Sequence, residues 1–319
     1  MTDLLHETPG NPVPANAVAG FFQTRDGKRI RYARFDPATR PGKGTVVVLP
    51  GRNECIEKYF ETIRDLQARG FGAACLDWRG HGRSDRLIRD PQRGYVKSFG
   101  QYVDDLDHLF REVVLPDCRG PYYVLAHSAG ALVALLAQPI LINRVRRMVL
   151  LVPFLALPGQ PVSMTAVRRV SGLMCLIGLG RLYASGGSRP TQTAPFDVNK
   201  LTSDSVRYAR NVAIYETFPE MAQGGPTVRW LHAAAVAVAT VSTPEFLAAN
   251  RLPTLLVAAG ADEVVSTRAI EWYARHLRLG LLVTIDGARH ELLQEADLYR
   301  EQCLAAFDAF VPGSGDPDS

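Results

Sequence analysis

Three residues of this chain have the types and settings that acyl transfer requires. Ser128 lies in Tyr122-Tyr123-Val124-Leu125-Ala126-His127-Ser128-Ala129-Gly130-Ala131-Leu132-Val133. There an apolar, β-favouring run ends in a small-residue turn, and a helix-forming apolar stretch follows. Strand, sharp turn and helix together hold a serine hydroxyl exposed at the end of a buried strand. In the G-x-S-x-G form of that turn, small residues flank the serine because the strand and helix backbones approach closely. Ala126 stands here at the first glycine position. A serine hydroxyl is a weak nucleophile and needs a base, donors for the oxyanion that forms, and an acid to hold the base's tautomer. Asp262 follows the run Thr254–Ala259, and His290 follows Leu281–Ile285. The chain order is therefore Ser128, Asp262, His290, each just past a predicted strand. Asp262 has rivals in Glu263 and Asp286. Among the other histidines, His127 reads as a support for the turn and His81 as structural. His6, His108, His232 and His276 read as surface or packing residues. A free histidine is protonated below about pH 6.5, so activity is expected to fall there.

The elements that must position these residues alternate between strand and helix. Ala17–Thr24 and Arg29–Phe35 flank Asp26-Gly27, a hairpin signal. Thr45–Leu49 is a near-continuous β-branched run that ends in Pro50-Gly51-Arg52-Asn53-Glu54, as expected of a strand covered on both faces. A helix bearing Tyr59, Ile63 and Leu66 follows, then a strand over Gly72–Trp78 that opens into Arg79-Gly80-His81-Gly82-Arg83-Ser84. That loop has no phosphate-binding form and reads as a tight structural turn. Helices are expected over Tyr102–Val114, Thr267–Leu277 and Leu292–Phe310, and a strand over Met148–Val152. Between Pro153 and Arg251 the pattern is helical, with Val167, Val170, Met174 and Ile177 in one apolar stripe and a further helix over Val206–Ile214. Alternating strands and helices imply a mostly parallel central sheet with helices on both faces, whose site lies at the carboxyl ends of the strands. The expected organisation is a flexible arm (1–16), a core (17–153 and 252–312), a mostly helical lid insertion (154–251) and a loose tail (313–319).

Composition narrows the function classes. The chain has 319 residues, 47% hydrophobic and 21% charged, within the range of ordinary globular proteins. Its charge of +4 is the remainder of 36 basic and 32 acidic residues without a basic tail, so nucleic-acid binding has no support. The five cysteines form no C-x-x-C pair and no metal-like cluster, which points to reduced thiols. Cys55 reads as a spectator. Met1–Pro14 has no apolar signal region, and no run approaches the roughly 20 apolar residues of a spanning helix. A cytoplasmic protein is expected.

The chain resembles the α/β-hydrolases of the monoacylglycerol lipase and lysophospholipase group (serine aminopeptidase-like hydrolases), and within it the bacterial lysophospholipases. The resemblance covers about residues 20–310. It rests on Leu49-Pro50-Gly51-Arg52-Asn53-Glu54, Asp77-Trp78-Arg79-Gly80-His81-Gly82-Arg83-Ser84, Ala126-His127-Ser128-Ala129-Gly130, Gly225-Pro226-Thr227 with Trp230, Asp262 and His290. It implies an α/β-hydrolase fold in which Ser128 is the nucleophile, His290 the general base and then acid, and Asp262 the orienting carboxylate. It also implies an oxyanion hole made by the backbone N–H groups of Arg52 and Ala129. Many relatives carry His-Gly-x-Gly where this chain has Pro50-Gly51-Arg52-Asn53, a departure that bears on the loop's shape and on the acyl fit. The implied activity is ester hydrolysis through an acyl-enzyme, on lysophospholipids or monoacylglycerols. No metal or organic cofactor is implied, and peripheral membrane contact would run through the lid. The readings that compete with it are a general carboxylesterase, a proline-iminopeptidase-like peptidase and a non-catalytic hydrolase-fold receptor.

Overall fold

A computed structural model describes residues 4–39, 41–159, 163–188 and 193–313 of the protein. Its centre is an eight-stranded sheet in the order β1-β2-β4-β3-β5-β6-β7-β8. β1 (Ala17–Gln23) and β2 (Arg29–Phe35) form the expected hairpin, with Gly27 at φ 78° in the turn, a value that only glycine adopts freely. β2 runs antiparallel to β4 (Gly72–Leu76), and every later pairing is parallel. β3 (Thr45–Leu49), β5 (Tyr122–His127), β6 (Val145–Leu151) and β7 (Thr254–Ala259) fill the middle of the sheet. Their β-branched and leucine side chains are buried on both faces, as parallel strands under helices must be. β8 (Gly280–Ile285) is the outer edge, where Leu281, Leu282 and Val283 are exposed.

Helices cross between the parallel strands. α1 (Phe60–Ala68) joins β3 to β4. α2 (Gly100–Leu109) continues through a π-helical turn at Phe110–Val114 into α3 (Leu115–Asp117) and reaches β5. α4 (Ala129–Leu136) and α5 (Gln138–Leu141) lead to β6. Between β6 and β7 the described chain carries four helices: α6 (Met164–Leu176), α7 (Ser205–Thr217), α8 (Val228–Val241) and α9 (Pro244–Ala249). α10 (Thr267–His276) and α11 (Asp297–Phe310) complete the fold. The four inserted helices and α10 each start on a side chain that accepts from their first-turn N–H groups: Ser163, Asp204, Thr227, Thr243 and Ser266.

Two expectations change. The stretch 4–16 is not a loose arm. Leu5 is buried in the core, and main-chain carbonyls of the stretch accept from Arg31 (at Leu4), Arg64 (at Pro12) and Gln67 (at Ala15). Asn11 Nδ2 also donates to the Glu57 carbonyl at 2.9 Å. Long polar side chains of β2 and α1 need acceptors near the core, and the stretch supplies them. Residues 1–3 of the expected arm and 314–319 of the expected tail lie outside the described residues. The final helix is also shorter than its apolar pattern suggests: Leu292–Gln294 is a 3₁₀ turn, and α11 starts at Asp297. The cause is Glu295, whose buried carboxylate accepts from Arg289 N, Ser203 N and Ala296 N and so holds the chain out of helix.

Candidate active site

Ser128 sits between β5 and α4 at φ 49°, ψ −112°, a region that non-glycine residues rarely enter. The surroundings hold it there. Its N–H donates to the Leu151 carbonyl on the neighbouring strand at 2.9 Å, and its own carbonyl accepts from Phe154 N at 3.1 Å. The small residues earn their places: a Cβ on Gly130 would lie 2.4 Å from the Pro50 carbonyl oxygen and 2.5 Å from that of Leu49. Ala126 is buried at the end of β5.

The loops after β7 and β8 bring Asp262 and His290 to this turn. His290 Nε2 is 3.1 Å from Ser128 Oγ, and its Nδ1 is 2.8 Å from Asp262 Oδ2. With Nδ1–H donating to the carboxylate, Nε2 is left to accept the serine proton. Asp262 Oδ1 accepts from the N–H groups of Val264 and Val265. Burial alone would raise this carboxyl, but the hydrogen bond and charge of His290 together with those two amides take it below the usual range. The rival acids lie elsewhere: Glu263 pairs with Lys200 at the surface, and Asp286 is exposed and accepts from the next residue's N–H.

Arg52 and Ala129 both line the cavity that contains Ser128 and His290. As the first residue of α4, Ala129 has no carbonyl partner within its own helix. The Gly51 N–H is engaged by Glu54 Oε2, which holds the loop in place, and Asn53 turns it at φ 61°, a left-handed value asparagine tolerates. The cavity encloses about 420 Å³, and its apolar wall includes Phe154, Leu157, Trp230, Leu231 and Val264.

Sequence reasoning missed a buried charged group beside this triplet. Lys58 Nζ donates to Glu54 Oε1 at 2.8 Å and to Glu291 Oε1 at 2.5 Å, and the Tyr59 hydroxyl donates to Glu54 Oε2 at 2.6 Å. His127 Nδ1 lies 3.0 Å from Glu54 Oε1, out of line for a hydrogen bond, and its Nε2 is 3.2 Å from the His290 carbonyl oxygen. Burial would lower the pKa of His127, but the Glu54 carboxylate outweighs that and raises it. His127 thus ties the turn to the loop of His290 through its Nε2 and lies in the field of Glu54. The i, i+4 pair Glu54/Lys58 reads as a solvated pair in sequence; only its burial beneath Glu291 makes it part of the site. Cys55 is buried against the Tyr215 hydroxyl, and burial pushes its thiol up, the opposite of an activated nucleophile. His81 is buried and lowered to about 3 by desolvation, so it is neutral and structural.

A mostly parallel sheet under helices, with serine, acid and histidine past the ends of β5, β7 and β8, defines an α/β-hydrolase. Residues 40–297 match the family model described as serine aminopeptidase, S33 (Hydrolase_4). The chain is 32% identical to lysophospholipase L2 of Escherichia coli strain K12 over 303 residues, 93% of this chain and 88% of the relative. It is 28% identical to a probable lysophospholipase L2 of Haemophilus influenzae, over 91% of each chain. The crystal structure of a soluble variant of monoglyceride lipase from Saccharomyces cerevisiae, in complex with a substrate analog, superposes with a TM-score of 0.72. It covers 95% of this chain and 96% of its own, at 18% identity, which speaks to the fold. The chain belongs to the serine aminopeptidase S33 family of α/β-hydrolases and is an ester hydrolase.

Proposed function

We propose that this ester hydrolase is a lysophospholipase or monoacylglycerol lipase, which cleaves the single ester of a monoacyl glycerolipid through an acyl-enzyme on Ser128. The observation that carries the reading is the pair Ser128 and His290, 3.1 Å apart on the wall of a largely apolar cavity, with Asp262 2.8 Å from His290 behind it. Ser128 Oγ attacks the ester carbonyl as His290 Nε2 takes its proton. The oxyanion accepts hydrogen bonds from the Arg52 and Ala129 N–H groups. The tetrahedral adduct collapses, the glycerol oxygen leaves with the proton from His290, and the acyl group stays on Ser128. Water, deprotonated by His290, then releases the fatty acid. Phe154, Leu157, Leu231 and Val264 hold the acyl chain away from water.

The peptidase reading is less well supported. An aminopeptidase needs a carboxylate available to the substrate's ammonium group. The carboxylates of the cavity wall, Glu54 and Glu291, are both held by Lys58. A lid role for the inserted helices belongs to the same proposal. Val170, Leu173 and Leu176 on α6 and the adjacent Ile177 are exposed beside Arg168 and Arg169, and the sequence has no acid between Asp117 and Asp197. An apolar face with basic flanks suits an anionic lipid surface, where such substrates reside. No helix among the described residues is long and apolar enough to cross a membrane. The contact proposed is peripheral, at the cytoplasmic face.

The test is a substrate panel of lysophospholipids, monoacylglycerols, short p-nitrophenyl esters and proline peptides, with Ser128→Ala as control and cosedimentation on anionic vesicles. Monoacyl lipids are expected to give the highest kcat/KM, with loss of at least about 10³-fold in Ser128→Ala. Faster proline release, or activity retained by the variant, sinks the reading.

A further inference from the structure

The cavity wall carries two side chains with a fixed positive charge, Arg52 and Lys58, and they differ in their partners. Lys58 is neutralised by two carboxylates at 2.8 and 2.5 Å. Arg52 has no carboxylate within 4.0 Å among the described residues. Its Nη1 donates to the Gly224 carbonyl at 3.1 Å, and its guanidinium carbon lies 5.8 Å from the centre of the Trp230 ring. Glu54, the carboxylate whose field reaches it, is already shared by Lys58 and His127. Enclosure by the loop and the base of α8 lowers its pKa to about 10, so it stays charged at neutral pH with its charge incompletely answered. The Arg52 side chain is half-buried, and a cation partly removed from water without a carboxylate partner is a place where a ligand can supply the charge.

Its position says which ligand. The residue whose N–H is proposed to meet the oxyanion also bears this guanidinium, so the two recognition points are one side chain apart. In a lysophospholipid the ester carbonyl and the phosphodiester are likewise separated by no more than the glycerol unit. A planar guanidinium suits phosphate oxygens in particular, with paired N–H groups held in one plane. We propose that Arg52 binds the head-group phosphodiester of a lysophospholipid and thereby selects it over a neutral monoacylglycerol. This rests on the lipid reading above and narrows it. Arg52 stands at the open position of His-Gly-x-Gly, so the position that the motif leaves free carries the head-group contact.

The test uses the full chain as parent, Arg52→Gln and Arg52→Lys. The first readout is the ratio of kcat/KM for lysophosphatidylcholine to that for a monoacylglycerol of the same acyl chain, so that any change in the common chemistry cancels. The ratio is expected to fall about ten- to a hundredfold in Arg52→Gln and to recover in part in Arg52→Lys. The second readout is inhibition of p-nitrophenyl ester turnover by glycerophosphocholine, expected in the parent and weakened in Arg52→Gln. An unchanged ratio, a glycerophosphocholine that does not inhibit the parent, or equal inhibition by inorganic phosphate overturns the assignment. Should the parent cleave neither lipid, the lipid reading fails, while the inhibition measurement still decides on Arg52. Should Arg52→Gln fail to fold, the Arg52→Lys ratio and inhibition of the parent decide.

Discussion

At Asp262 three donors converge on one carboxylate: His290 Nδ1 and the amides of Val264 and Val265. A carboxyl held below its ordinary value of 3.8 stays ionised through the range in which esters are assayed. The sign follows: its contribution to stability is present above 3.8 and fades as pH falls below it. Protonation of Asp262 therefore plays no part in mild acid. Asp262→Asn, which keeps the shape but presents an amide to Nδ1, is expected to lower kcat by about 10⁴-fold with KM little changed. Steady-state kinetics across the pH range check this, and a variant within tenfold of the parent would remove Asp262 from its role.

Among the elements, the start of α4 and the loop after β3 meet at Gly130. A side chain there cannot be accommodated by a rotamer change, because the atoms it meets are the backbone carbonyls of Leu49 and Pro50. Gly130→Ala must push the loop away from Ser128, and with it the Arg52 N–H. Overpacking of this kind costs about 1–3 kcal/mol. The expected result is a modest drop in the urea midpoint with a far larger drop in kcat; a variant that loses stability but keeps full kcat would separate the loop from the chemistry. The Glu54–Lys58–Glu291 group works at the same scale, since it joins the loop after β3 to the loop that carries His290.

For the whole molecule, the question is what holds the inserted helices against the sheet-and-helix core. Arg207 and Arg210 of α7 both pair with Glu61 of α1, and Arg207 also reaches Asp297 at the start of α11. Burial by itself would raise the Glu61 carboxyl, but the hydrogen bond from Arg207 and the charges of Arg300 and Arg210 take it from 4.5 to about 2. A depressed carboxyl stabilises the fold fully above 4.5, and the contribution is lost as pH falls through about 2. Glu61→Gln should therefore melt below the parent at neutral pH, with the gap narrowing as pH falls below 4.5. Thermal scans from pH 7 to pH 3 check it, and a gap that widens in acid would contradict the pairing.

The order Ser128, Asp262, His290 and the strands that precede each residue were legible because β-branched runs, small-residue turns and helical periodicity are local signals. The sheet order, the docking of 4–16 over the core, the break before α11 and the burial of Glu54, Lys58, His127 and Glu291 were not, since each depends on residues far apart in the chain. Sequence by itself determined which groups could form a nucleophile, its base and its acid, because type and order carry that chemistry. Only the tertiary structure decided that Arg52 would line the cavity without a carboxylate partner while Lys58 beside it is neutralised. The physical reason is that the field around a charge is set by what packs against it, and the packing partners come from Gly224, Trp230 and Glu291.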